Sequence, residues 1–149
     1  MSTDMADAVW EPLRLAATAA LANAYAPYSK FPVGAAARLQ DGRIVAGCNV
    51  ENASYGLTLC AECTMVGALR MSGGGLITEF YCVDGNGAIL MPCGRCRQLL
   101  FEFSTAETRL MTSAGVKTMD EVLPDAFGPR DLDRITVAPA EGQGPDTGP

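Results

Sequence analysis

Sulfur sets the strongest constraint on this chain. Six cysteines stand in a sequence with no histidine. Any metal gripped by its side chains must therefore be held by sulfur or oxygen. Neither a Ser-His-Asp nor a Cys-His mechanism is open to it. Four of the six cysteines form two short pairs, Cys60-Ala61-Glu62-Cys63 and Cys93-Gly94-Arg95-Cys96. Each pair lies where a loop turns into a predicted helix. A helix start offers free N–H groups and a partial positive charge, which lower a thiol pKa. Thiolates there are ready ligands for a borderline cation, zinc first.

Four thiolates would make a closed structural site, whereas three plus a water would make an open catalytic one. Two features favour the open site. The gap of 29 residues between Cys63 and Cys93 exceeds the roughly 15–20 of a zinc ribbon. Glu62, next but one to Cys60, can reach the free face of a cation without ligating it, where a proton shuttle is needed.

At 149 residues the chain reads as one domain, spanning 1–138. A Gly- and Pro-rich segment, 139–149, reads as a disordered tail. Acids exceed bases to give a net charge of −6, which argues against a nucleic-acid polymer as partner, since phosphate contacts come from Lys and Arg. No apolar run approaches the roughly 18–20 residues of a membrane span, and the acidic start has no leader-like pattern. The chain is thus expected to be cytoplasmic, with thiols that are metal ligands or buried rather than disulfide-bonded. Charged residues are 19% against about 25% in ordinary domains. The apolar surplus points to buried subunit interfaces and a homo-oligomer.

Helix formers from Glu11 to Ala26 predict a first helix that stops before Pro27. Val33–Gln40 and Arg43–Val50 flank Asp41-Gly42 and predict a β-hairpin. A second helix is expected from Cys60 to Met71, apolar nearly all round and therefore buried. It ends at Gly73-Gly74-Gly75. A short strand at Phe80–Val83, a third helix over Gly94–Phe103, a strand at Arg109–Thr112 and a short helix near Met119–Leu123 complete the order. This succession predicts a layered α/β/α domain, a central mixed β-sheet covered by helices.

Cys60-x-Glu62 followed by Pro92-Cys93-x-x-Cys96 resembles the signature of zinc nucleoside and nucleobase deaminases. Phe31-Pro32-Val33-Gly34-Ala35-Ala36, Asn49-Val50-Glu51-Asn52-Ala53-Ser54-Tyr55-Gly56, Pro92 to Gln98, and Leu123 to Pro129 follow in order. Together, over about residues 11–132, they resemble the small homotetrameric cytidine deaminases. The resemblance implies one Zn²⁺ per subunit on Cys60, Cys93 and Cys96. It implies Glu62 as general acid/base in the hydrolytic deamination of cytidine and 2′-deoxycytidine, a step of pyrimidine salvage. It implies Asn49 and Glu51 on the ribose 3′-hydroxyl. Residues i and i+2 of an extended chain share a side, which fits that role. It further implies Phe31, with Val33 beside it, and Ala61 at the nucleoside. Phe127 and Tyr55 would reach sites shared between the subunits of a homotetramer.

Blander readings stand beside these. Asn49 and Glu51 could be a solvated strand end, and Phe31, Tyr55 and Phe127 ordinary packing. Cys48 and Cys82 read as small buried apolar residues. One departure is plain: many relatives have Arg after the catalytic Glu, and this chain has Cys63. That leaves Arg97 and the two helix starts as candidates to offset thiolate charge, and leaves Cys63 either a neutral thiol donating to a ligand sulfur or a fourth ligand. Competing functions are a structural zinc module, a deaminase of another aminopyrimidine nucleoside such as a nucleoside antibiotic, a polynucleotide deaminase and a thiol redox protein.

Overall fold

A computed structural model describes residues 3–134. The expected tail and its boundary at 138/139 lie outside the described residues. Five helices and five strands follow in the order α1 (Thr3–Leu21), β1 (Val33–Leu39), β2 (Ile44–Cys48), α2 (Ala61–Met71), β3 (Ile77–Asp84), α3 (Gly94–Glu102), β4 (Ser104–Thr112), β5 (Gly115–Thr118), α4 (Met119–Val122) and α5 (Pro129–Leu132). The strands form one sheet in the order β2-β1-β3-β4-β5. The β3–β4 pair is parallel and the other three are antiparallel. The mixed sheet expected from the sequence is present.

Alternation along the strands decides which helix covers which face. Ala35, Ala37 and Leu39 of β1 and Phe80 and Cys82 of β3 face one way. They form the main core with Ala61, Met65, Val66 and Leu69 of α2, Leu100 of α3, and Met119 and Val122 of α4. Ala36, Tyr81 and Val83 face the other way and meet Trp10, Leu13 and Ala17 of α1. Those three α1 residues lie on one stripe at helical spacing. Ala35, Ala36 and Ala37 are completely buried. Their small size lets helices approach the sheet closely from both sides. The approach is tightest at two glycines. A Cβ on Gly34 would sit 2.0 Å from the Ala17 carbonyl oxygen, and one on Gly47 would sit 2.3 Å from the Met65 nitrogen. Gly47 thus sets how near α2, and the cysteine at its head, can come to the sheet.

The structure departs from the sequence expectations in places that have physical causes. α1 begins well before Glu11 and runs through Pro12, which faces solvent, so the carbonyl that loses its usual partner is open to water. It ends at Leu21 rather than Ala26. The Tyr25 N–H donates to the Asn49 carbonyl at 3.0 Å and the Glu51 N–H to the Tyr25 carbonyl at 2.8 Å. These long-range bonds override the helix propensity of Ala24 and Ala26. α2 is not buried all round: Gly67, Arg70 and Met71 are exposed. β5 and α5 were not expected at all. No helix among the described residues is long and apolar enough to cross a membrane.

Gly47→Ala is expected to destabilise the fold by about 1–3 kcal/mol, as overpacking against backbone atoms does. Denaturant titration measures it. An unchanged midpoint would show that α2 can lift off the sheet freely.

Candidate metal and substrate site

Cys60 is the N-cap residue of α2 and Cys93 that of α3, each in extended conformation at the turn into its helix. Cys96 follows in the first turn of α3 and is buried. The sheet brings the two helix starts together, and the sulfurs of Cys60, Cys93 and Cys96 lie within 4.8 Å of one another. It is the one such group of potential metal ligands among the described residues. Cys63 is outside it. Instead its sulfur lies 3.5 Å from Nη2 of Arg95, which donates to it. Cys82 is fully buried in the core, as expected, while Cys48 is only partly covered. All six cysteines are free thiols.

The site's electrostatics favour a cation. Burial pushes the Cys60 thiol up; charge on Cys93, Glu62 and Cys63 pushes the same way, against the help of the Cys96 thiol. Burial, followed by Glu62, pushes Cys96 far above the ordinary thiol range. Burial also acts on Cys93, but the Cys96 backbone N–H and the thiols of Cys96 and Cys60 more than offset it and hold Cys93 below its usual value. Three thiols so close cannot all ionise unaided. A divalent ion between them removes the repulsion. Zinc takes sulfur at about 2.3 Å in a tetrahedral array, and the observed spread of the sulfurs fits that reach. The donor set is therefore a zinc set, with three sulfurs converging rather than four.

Glu62 occupies the second position of α2, only 4% exposed. Its charge is felt by Cys60, Cys82, Cys93 and Cys96 alike. The carboxylate therefore stands beside the sulfur group. Ala61, between Cys60 and Glu62, is buried.

Asn49 and Glu51 lie just past β2. Val50 between them bridges Leu59, the residue before Cys60. The backbone that carries both residues is thus tied to the segment leading into α2. Both grip the loop that carries Phe31. Asn49 Oδ1 accepts from the Val33 N–H at 2.9 Å and Nδ2 donates to the Phe31 carbonyl at 2.9 Å. Oε2 of Glu51 accepts from the N–H groups of Tyr28 and Ser29 at 3.0 and 3.2 Å, and Oε1 accepts from the Ser29 hydroxyl. These contacts, the Ser29 hydroxyl first, hold the Glu51 carboxyl below its usual pKa. Between Ser29 and Phe31, Lys30 adopts φ +57°, a left-handed conformation that persists only when its surroundings over-determine it. The two side chains do that here. Sequence reasoning missed this loop-holding job and the part of Ser29; neither carries a motif of its own.

Phe31, Tyr55 and Phe127 are largely exposed, at 48, 75 and 58%. Val33 packs partly against the main core. Tyr55 stands on a short 3-10 turn, Tyr55–Leu57, with its ring 6.0 Å from that of Tyr28. The Phe127 carbonyl accepts from Gln98 Nε2 at 2.8 Å, which ties its loop to α3 just beyond Cys96. Arg97, a candidate for charge compensation, is committed to carbonyls: Nε to Pro92 at 2.9 Å and Nη1 to Val122 at 3.1 Å.

Comparison with known proteins agrees with this geometry. Residues 11–112 match a family described as the cytidine and deoxycytidylate deaminase zinc-binding region. A cytidine deaminase of Mycobacterium tuberculosis (strain ATCC 25618 / H37Rv) is 55% identical over 130 residues, 87% of this chain and 98% of that protein. One from Halalkalibacterium halodurans is 39% identical over 115 residues, 74% of this chain and 87% of that protein. The crystal structure of cytidine deaminase from Mycobacterium leprae superposes with a TM-score of 0.76 at 61% identity, covering 77% of this chain and 97% of that one. With a sulfur trio, a buried carboxylate beside it and a match over most of its length, this chain belongs to the zinc-binding cytidine and deoxycytidylate deaminase family.

Proposed function

We propose that this protein hydrolyses the exocyclic C–N bond of cytidine and 2′-deoxycytidine, giving uridine or 2′-deoxyuridine and ammonia. The observation that carries this reading is the buried carboxylate of Glu62 beside three converging sulfurs. Cys60, Cys93 and Cys96 are the zinc ligands in this reading. Bound zinc supplies a Lewis acid that makes water a nucleophile near neutral pH. Glu62 takes the proton of the water that attacks C4, passes it to ring N3, and then helps protonate the departing amine. No other carboxylate follows a ligand cysteine so closely, and no histidine exists to share the work.

Hydrogen-bond inventory supports Asn49 and Glu51 as the ribose grip. A carboxylate has about four acceptor sites, and the loop uses three of those on Glu51. The amide of Asn49 has two N–H bonds, and one is spent on Phe31. One acceptor and one donor remain, which suits a single hydroxyl. Phe31, with Val33 behind it, flanks the pyrimidine, and Ala61 supplies a close, small surface at the head of α2.

The protein is a homotetramer in this reading, with active sites shared between subunits. Tyr25, Tyr28, Phe31, Tyr55, Leu57 and Phe127 are all exposed on the single chain, and large exposed apolar side chains of this kind suit burial against another subunit. Phe127 and Tyr55 then complete the neighbour's pocket. Free thiols throughout suit a reducing, cytoplasmic setting, and the substrate class suits pyrimidine salvage.

Three outcomes check these assignments. Glu62→Gln should keep zinc by elemental analysis yet lose at least about 100-fold in kcat, the lower end for a general acid/base. A variant with most of its kcat would remove Glu62 from the role. Glu51→Gln should raise KM for cytidine about tenfold or more, as loss of a charged hydrogen bond does. It should leave the very slow turnover of free cytosine unchanged; an equal effect on both substrates would end the ribose assignment. Finally, Glu62→Gln and Phe127→Ala proteins, each impaired alone, should recover activity when co-refolded, because mixed oligomers combine an intact Glu62 with a neighbour's intact Phe127. Recovery that never exceeds either parent would mean that sites are not shared.

A further inference from the structure

On the reading that Glu51 accepts from the ribose 3′-hydroxyl, we propose that Ser29 is a positioning residue for sugar recognition: its hydroxyl fixes the plane of the Glu51 carboxylate and so aims the acceptor that remains for the substrate. Two backbone groups, the N–H of Tyr28 and the N–H of Ser29, meet a single oxygen of Glu51, Oε2, at 3.0 and 3.2 Å. The other oxygen, Oε1, is met by the Ser29 hydroxyl alone among the described residues. A carboxylate held at one oxygen can pivot about it. Held at both, its plane is set, and the unused lone pairs point in fixed directions.

The sense of the hydroxyl is set as well. Hydrogen bonds, that of the Ser29 hydroxyl first, hold Glu51 below its usual pKa, so near neutral pH its carboxylate can only accept. Ser29 spends its one proton there, which leaves its lone pairs for the Phe31 N–H, 3.0 Å away. The carbonyl of Phe31 is bonded by Asn49 Nδ2 at 2.9 Å. Both sides of the Phe31 backbone are therefore tied to the sugar grip, the carbonyl directly by Asn49 and the N–H by Glu51 through Ser29. Removing the hydroxyl frees Oε1 and leaves both backbone contacts on Oε2. Ser29 is exposed, so threonine can keep a hydroxyl in its place.

Zinc-loaded wild-type protein, S29A, S29T, E51Q and the double variant S29A/E51Q are assayed for kcat/KM on cytidine and on 3′-deoxycytidine, and the ratio of the two is the readout. A change in loop stability or in the amount of folded protein affects both substrates alike and leaves the ratio unmoved. E51Q should lower the ratio about tenfold or more, as loss of a charged hydrogen bond does. S29A should lower it about three- to tenfold, the scale of one ordinary hydrogen bond. S29T should stay near wild type, and the double variant should be no lower than E51Q. A wild-type ratio in S29A beside a lowered one in E51Q would overturn the positioning role and leave the ribose grip standing. S29T as low as S29A would also overturn it, because the hydroxyl would not be the cause. So would a double variant lower than E51Q, because Ser29 would then act on the sugar by a route other than Glu51. An unchanged ratio in E51Q would overturn the ribose assignment, and this role with it.

Discussion

Everything at the site depends on three thiols being held closer than their charges would choose. Cys60, Cys93 and Cys96 repel one another as they ionise, and Glu62 adds to the repulsion. The fold opposes that with packing. α2 is pinned to the sheet through Gly47 and the buried stripe Met65, Val66 and Leu69, and α3 through Leu100. Thr64, one turn into α2, adds a hydrogen bond at 2.7 Å to the Cys48 carbonyl at the end of β2. The helix starts are packed in place, and a cation between them meets thiols already gathered. Preorganisation of this kind is what makes a metal site selective and reactive.

Around that centre the chain uses each polar group more than once. Asn49 and Glu51 first hold the Pro27–Pro32 loop, with its left-handed Lys30, and keep only a little capacity for a ligand. Substitution at either position therefore acts on loop conformation first. Cys63, which stands outside the sulfur group, accepts instead from Arg95 of α3, so the contact links the two helix starts.

Much of this was legible in the residues. Alternation and turn residues predicted the hairpin that became β1 and β2, and the cysteine pairs predicted helix starts where α2 and α3 begin. Short-range pattern served there because turns and caps are short-range physics. The end of α1 was not legible, since local propensity favours helix through Ala26 and the bonds that stop it come from Asn49 and Glu51. β5 was missed because a four-residue edge strand, Gly-Val-Lys-Thr, carries almost no pattern of its own and exists by pairing with β4.

Residue identity alone narrowed the donor chemistry: without histidine, a borderline cation here must sit on sulfur or oxygen, and Glu62 stands two residues from Cys60. It could not decide which three of four paired cysteines converge, nor what the fourth does. Both depend on the relative placement of two helices far apart in sequence. That placement is set by how closely α2 and α3 pack on a sheet of glycine and alanine, a sum of many small contacts that no short stretch of sequence contains.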